Sequence, residues 1–384
     1  MTSYDYDMVV IGSGPAGQMA AIQASRFGGR VAVVEKLGEV GGVSVNTGTA
    51  SKTLREAVLH FTGHRERSVY GRSYSVKRNV TMADLMERAR HVMRQEVDIL
   101  RGRLAASRVE MINAEASFVD RHTIQLRADG GRMKAVVAVG PYSTRPPVVH
   151  ADGRLIFVSD DVLNLPELPR KLTIVGAGSI GLEYCGTFAT LGVRVTLVDK
   201  EVRLLPFADR EICDTLAYHL RQTGVTLRLS EEVFDIEYLR DEIGDKVRVL
   251  LGSGKQIVSD AVMYCVGRTG ATESLGLEAV GIIPDERGRL SVDDNYQTNV
   301  EGIYAVGGVI GFPDLASTSK LQGRLAACHA FGVSANAFPD LYPYTVKSVP
   351  EVAMVGKTED QLTGEGVPYE VGKALYRETI SSVI

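Results

Sequence analysis

The sequence predicts an α/β chain built from two nucleotide-binding units, and three observations carry that prediction. Near the N-terminus a short branched apolar run leads into Gly12, Gly14 and Gly17, in G-x-G-x-x-G spacing, and then into a helical stretch. The same arrangement recurs at Gly176, Gly178 and Gly181. Each unit then closes on an acid after a second apolar run. The distance from first glycine to acid is 23 residues in both, Gly12 to Glu35 and Gly176 to Asp199. One glycine motif is weak evidence in a chain with 40 glycines; two with identical internal spacing are specific.

Each element follows in order. Residues 6–11 are long enough for one buried strand. Gly12 permits a tight turn, Gly14 lets backbone approach a pyrophosphate, and Gly17 lets helix pack on strand. The helix over 18–27 offers free N–H groups and its positive dipole end to phosphates. Residues 31–34 form the next strand, and Glu35 is placed to accept hydrogen bonds from a ribose diol. Residues 36–50, beginning with Lys36, read as a polar, glycine-rich loop. Residues 51–60 have helical periodicity, with Leu54, Val58 and Phe61 on one face. Thr81 and Asp84 resemble a capping box ahead of a long helix over 83–107. Two strands are expected within 109–126 and another over 133–140, and Pro141, Pro146 and Pro147 mark a linker. In the second unit the spacing predicts a strand from 172, a helix through 191 and a strand over 195–198. A helix over 209–223 and strands near Val225, Val233 and Val247 follow. Gly252 to Gly254 reads as a hairpin turn, and 261–268 as a strand. The architecture is therefore two Rossmann-like dinucleotide-binding domains. Two such units in one chain imply two bound dinucleotides, one per domain.

Composition excludes several classes. The 384 residues exceed one ordinary domain. Hydrophobic content is 45% and charged content 23%, normal for a globular protein. The net charge of −4 is spread without long blocks, so no nucleic-acid partner is indicated. No apolar run approaches the ~20 residues of a membrane span, and the acidic N-terminus is unlike a signal peptide. Cys185, Cys213, Cys265 and Cys328 are scattered with no C-x-x-C, as in core thiols of a reducing cytoplasm. His60 and His64 have a spacing that could ligate zinc, but no third ligand is near in sequence, and a solvated helix face is the plainer reading.

The run from Gly41 to Glu56, Gly-Gly-Val-Ser-Val-Asn-Thr-Gly-Thr-Ala-Ser-Lys-Thr-Leu-Arg-Glu, resembles the flavin loop of the two-dinucleotide-binding-domain flavoproteins. That family includes dihydrolipoamide dehydrogenase and glutathione reductase. Ala138-Val-Gly140, the segment ending in Gly267-Arg268, and residues 301–308 resemble further family landmarks. From Leu341 the chain is similar to the start of the family's C-terminal dimerisation domain. The resemblance implies an FAD-binding domain over 1–150 and 290–338, and an NAD(P)-binding domain over 151–289. It also implies an α+β dimerisation domain over 339–384, incomplete where the sequence stops at Ile384, which puts the family's homodimer in question. It further implies that FAD meets Gly12, Gly14, Gly17, Glu35, Lys36, Gly42, Lys52, Gly140 and Gly308. Gly176, Gly178, Gly181, Asp199, Lys200, Arg203, Gly267 and Arg268 would then meet NAD or NADP. Lys52 and Glu183 match a catalytic pair beside the reactive flavin nitrogen, where a cation stabilises developing negative charge.

Four features qualify what the resemblance implies. The family's two redox cysteines are replaced at Ser44 and Thr49, and a hydroxyl has no dithiol–disulfide couple. A loop without that pair is similar to the soluble pyridine nucleotide transhydrogenases, and implies ping-pong transfer of hydride from NADPH through FAD to NAD. An NAD(P)H oxidase or diaphorase of the same fold, and a catalytically impaired nucleotide-binding homologue, fit the same residues. One residue fewer stands before Lys52, a rotation of about 100° on a helix. Asp199 suits the 2′-hydroxyl of NAD, while Lys200 and Arg203 could offset its repulsion of a 2′-phosphate. Gly308 stands where the family has Asp, and losing one charged acceptor weakens flavin binding by roughly 1.5–3 kcal/mol.

Overall fold

The computed structural model describes residues 5–71, 73–126, 131–132, 135–146, 151–240, 244–335, 338–339, 341–375 and 378. Two five-stranded parallel sheets organise these residues. In the first, Met8–Ile11 lies at the centre. It is flanked on one side by Val31–Glu35 and then Glu110–Asn113, and on the other by Ala135–Val137 and then Ile303–Ala305. In the second, Lys171–Val175 takes the central place. Arg194–Val198 and Thr226–Arg228 lie to one side, Ala261–Tyr264 and Ile156–Val158 to the other. The spatial order is the same in both sheets. Only the outermost strand is drawn from a different place in the chain, late for the first sheet and early for the second. All-parallel sheets are covered on both faces, which accounts for central strands that are buried almost throughout.

The helices follow the sequence signals closely. Pro15–Arg26 starts on a proline at its first turn, three residues ahead of the expected start. Met82–Ala106 carries the Thr81–Asp84 capping box in full. Arg210–Gln222 is capped by the Asp209 carboxylate, and Val249 pairs with Ile257 across the expected hairpin.

Several expectations are corrected. The 36–50 loop is helical in its second half. Ser44–Thr49 forms a π-helical turn that runs directly into Ala50–Thr62. Residues 109–126 give three strands rather than two, because Ala116–Asp120 and Thr123–Leu126 form their own antiparallel pair apart from the main sheet. The 261–268 strand ends at Tyr264, and Arg268–Gly270 pairs instead with Pro141–Ser143 in the expected linker. Leu275, Leu277, Ile282 and Leu290 pack against Val9, Ile11 and Ala32 of the first sheet. These residues thus share a buried cluster with the first sheet. Met133, Lys134 and Pro147 lie outside the described residues.

One large core knits the parts together. Leu54 and Val58 from Ala50–Thr62, with Leu85 and Met86 from the long helix, pack on Leu182, Tyr184 and Cys185 of Ser179–Thr190. Val346 and Val352, from the antiparallel pair Tyr344–Val346 and Val352–Met354, join the same cluster. Buried Arg55 clamps this junction: its guanidinium meets Glu351 at 2.9 Å and donates to the Ser348 carbonyl at 3.2 Å.

Candidate active site

The two glycine turns are built alike. Gly12 holds φ +103° and Gly176 φ +104°. A Cβ at either would run into the carbonyl of the neighbouring strand's end, Ala138 or Cys265. A Cβ on Gly17 would overlap the Gly12 carbonyl oxygen, and one on Gly181 the Gly176 carbonyl oxygen. By contrast, nothing lies within 4 Å of a Cβ on Gly14 or Gly178. The turns are thus tight where helix meets strand and open where a pyrophosphate would lie, the arrangement a dinucleotide requires.

The closing acids also match. Glu35 is 6% exposed. One of its oxygens accepts from the Ser13 amide at 3.0 Å and the Ser13 hydroxyl at 2.7 Å, and the other from the Leu37 amide at 3.0 Å. Asp199 accepts from the Ala177 amide and, at 2.8 Å, from the Glu201 amide. Each acid therefore ties its strand end to the residue between the first two glycines. The sequence reading assigned both acids to ribose alone and missed this tether.

Both turns open on one cavity of about 660 Å³, within the range of small-molecule and cofactor sites. Of the residues singled out in the sequence, Gly12, Gly14, Glu35, Lys36, Gly42 and Lys52 line it. So do Gly140, Gly178, Glu183, Gly267, Arg268 and Gly308. Gly17, Gly176, Gly181, Asp199, Lys200 and Arg203 do not; the three glycines act behind the surface, in packing.

One expected pairing is not made. Lys52 lies on the cavity wall, but its Nζ donates to the Gly48 carbonyl at 3.3 Å. Glu183 accepts from the Lys347 amide at 2.9 Å, and no Lys52–Glu183 ion pair forms among the described residues. Arg203 reaches away from Asp199, to Asp360 at 2.9 Å and the Pro206 carbonyl at 2.9 Å. Lys200 is exposed beside Asp199. Among the described residues no group of three potential metal ligands occurs.

The cavity holds further polar groups beside Arg268, of which the sequence reading missed Tyr184 and Asp314. Arg268 donates to the Pro141 carbonyl at 2.8 Å, yet its Nε has no hydrogen-bond partner. The buried Tyr184 hydroxyl likewise has none, and burial pushes its ionisation up. Asp314 lies 4.0 Å from Arg268. Burial pushes its carboxyl up to about 6, with Arg268 pulling it back. These orphaned donors and the open turns fit a large polar ligand such as a flavin dinucleotide.

The comparisons with known proteins agree with this geometry. The pyridine nucleotide-disulphide oxidoreductase family matches residues 6–323. The chain belongs to that family. Among curated relatives, it is 47% identical to a soluble pyridine nucleotide transhydrogenase of Mycobacterium bovis, covering 97% of this chain and 81% of that protein. It is 40% identical to the protein of the same name from Marinobacter nauticus, over 98% of this chain and 82% of that one. Among solved structures it is similar to an HOCl-induced flavoprotein disulfide reductase, RclA, of Escherichia coli. The TM-score is 0.82 at 28% identity, over 94% of this chain and 80% of that one. The family binds FAD and nicotinamide nucleotides. Unlike its disulfide-reducing members, this chain has no thiol at the cavity loop. Cys185, Cys213, Cys265 and Cys328 are all free. Cys185 is fully buried, and burial pushes its thiol up to about 12.

Proposed function

We propose that the chain is a flavin-dependent transhydrogenase that transfers a hydride equivalent from NADPH to NAD without a protein disulfide. The observation that carries this reading is the shared cavity. Two independently built dinucleotide turns face it, and Ser44 lines the loop wall at one of the two positions, with Thr49, where disulfide reduction would need a redox cysteine. A bound FAD would supply the two-electron carrier between the nicotinamides. The protein's part is to hold, orient and exclude water. The Gly12–Gly17 turn and the Pro15–Arg26 helix N-terminus would hold the flavin pyrophosphate. Gly178 and the N-terminus of Ser179–Thr190 would hold that of the nicotinamide. Lys52 would place a positive charge at the flavin, the Gly48 carbonyl fixing its position. Glu183, tethered by the Lys347 amide, would keep the helix end aligned with the C-terminal hairpin. Both nucleotide forms would be accepted because Asp199 selects the 2′-hydroxyl while exposed Lys200 moderates repulsion of a phosphate.

The same reading divides the chain into an FAD domain, a nicotinamide domain and a C-terminal interface segment. It places the protein in the cytoplasm, where its nicotinamide substrates are. Among the described residues no helix is long and apolar enough to cross a membrane.

The test is an anaerobic absorbance titration. Flavin bands that bleach with NADPH and return on adding NAD support the proposal. Bands that bleach but return only with oxygen or dyes would establish an oxidase or diaphorase instead. A protein that takes up no FAD would overturn it.

A further inference from the structure

Gly308 has no side chain, yet the space a side chain would fill is not empty. A Cβ built there would overlap Asp314 Oδ1 and lie 2.5 and 2.7 Å from Cδ and Cγ of Pro141. A carboxylate thus stands at position 308 without belonging to residue 308. We propose that Asp314 supplies this carboxylate, from the loop after the Gly307–Ile310 turn, and that it accepts hydrogen bonds from the hydroxyls of the flavin's polyol chain. The proposal rests on the flavin reading above and extends it to a residue to which no role has been assigned.

Four observations support it. Asp314 and Gly308 both line the cavity, as do Gly12 and Gly14 at the flavin turn. The Asp314 carboxylate accepts no hydrogen bond among the described residues, and its ion-pair partner, Arg268, is 4.0 Å away. Its oxygens are thus left to solvent in the free protein, and vicinal hydroxyls are suitable donors to replace that water. Its side chain is 39% accessible and lines that cavity. Finally, Asp314 holds φ +25°, a strained region for a residue with a Cβ. The Asp314 amide donates to the Gly311 carbonyl, closing the loop that keeps it there.

The geometry also makes the two positions mutually exclusive. An acid at 308 needs Asp314 withdrawn and the Pro141 ring removed, so the chain carries one carboxylate at this point.

The experiment is titration of apoprotein with FAD, read by flavin fluorescence and by bound-flavin stoichiometry. Wild type should bind. Asp314→Asn removes a charge that burial disfavours, so the fold is not at risk, and its Kd for FAD should rise tenfold or more. The triple variant Gly308→Asp, Asp314→Ser, Pro141→Ala moves the carboxylate back. It should bind at least fivefold tighter than the double variant Asp314→Ser, Pro141→Ala. An Asp314→Asn protein that binds FAD within twofold of wild type overturns the inference and leaves the flavoprotein reading intact. A triple variant no tighter than the double overturns the single shared carboxylate site. Failure of wild type itself to bind FAD would instead overturn the flavoprotein reading.

Discussion

Two adjacent glycines of the second turn should fail in opposite ways when each is given a methyl group. Gly178 has φ −71° and ψ −177°, a conformation alanine adopts without strain, and a Cβ there meets nothing within 4 Å. Gly178→Ala should therefore keep or slightly raise stability, by up to about 0.4–1 kcal/mol, because it restricts the unfolded chain. It should still weaken nicotinamide nucleotide binding, since the methyl occupies the space left for pyrophosphate. Gly181→Ala meets a different neighbour. Its Cβ would overlap the Gly176 carbonyl oxygen and lie 3.1 Å from the carbonyl carbon, both backbone atoms that cannot swing aside. The helix Ser179–Thr190 would have to retreat by about an ångström from a tightly packed strand, at a cost of about 1–3 kcal/mol. That helix carries Leu182, Tyr184, Cys185 and Phe188 in the large core. Thermal melts together with NADH and NADPH titrations separate the two effects. The expected result is a binding defect at unchanged melting temperature for Gly178→Ala, and a lowered melting temperature for Gly181→Ala. If Gly178→Ala lowers the melting temperature more than Gly181→Ala does, the assignment of roles within the turn is wrong.

Three further outcomes are expected. Lys52→Ala should slow reduction of bound flavin by NADPH about tenfold with little loss of flavin; an unchanged stopped-flow rate would remove Lys52 from the chemistry. Asp314 gives a pH signature in the apoprotein. Its folded value, about 6, lies above the ordinary aspartate value of about 3.9, so ionisation opposes the fold. The destabilisation is fully present above pH 6 and is relieved as pH falls toward 4. Because the side chain is 39% exposed, screening reduces it to about 1 kcal/mol. The melting temperature of wild type relative to Asp314→Asn should therefore rise on going from pH 7.5 to 5, and a pH-independent difference would refute the burial of this group. Cys185, fully buried with its thiol pushed up to about 12, should resist alkylation in the native protein at pH 8. Hydride transfer should survive such treatment, and rapid inactivation through this residue would contradict a mechanism without thiols.

Much of the fold was legible because the glycine turns encode geometry directly. Gly12, Gly17, Gly176 and Gly181 each sit where any Cβ would strike backbone, so their spacing reports how helix and strand pack. The Thr81–Asp84 cap was readable for the same local reason. What failed was non-local. Nothing in the order of residues reveals that Arg203 finds Asp360, or that Glu183 meets the Lys347 amide, 164 positions away. That Leu275 and Leu277 join the buried cluster of Val9 and Ile11 was hidden because those residues lie far behind them in sequence. The π-helical turn at Ser44–Thr49 was missed because its polar, glycine-containing residues carry no helical pattern. It shifts the rotation of all that follows, and Lys52 reaches the cavity wall despite the shortened segment before it.

The matched acids sharpen how such a repeat divides labour. Glu35 and Asp199 each bind the amide between the first two glycines of their turn and the amide two residues beyond themselves. A ribose hydroxyl donating to either acid must use lone pairs those amides leave free. The carboxylate is thereby fixed before a nucleotide arrives, which lowers the ordering cost of binding. Neutralising Asp199 as Asn would keep the shape but supply only one acceptor oxygen for two donor amides. Its effect on NAD and NADP would then combine a loosened turn with a lost charge. The loosened turn weakens both nucleotides, whereas the lost charge favours the 2′-phosphate. The ratio of the two affinities, not either one alone, therefore reads the electrostatic part of nucleotide choice.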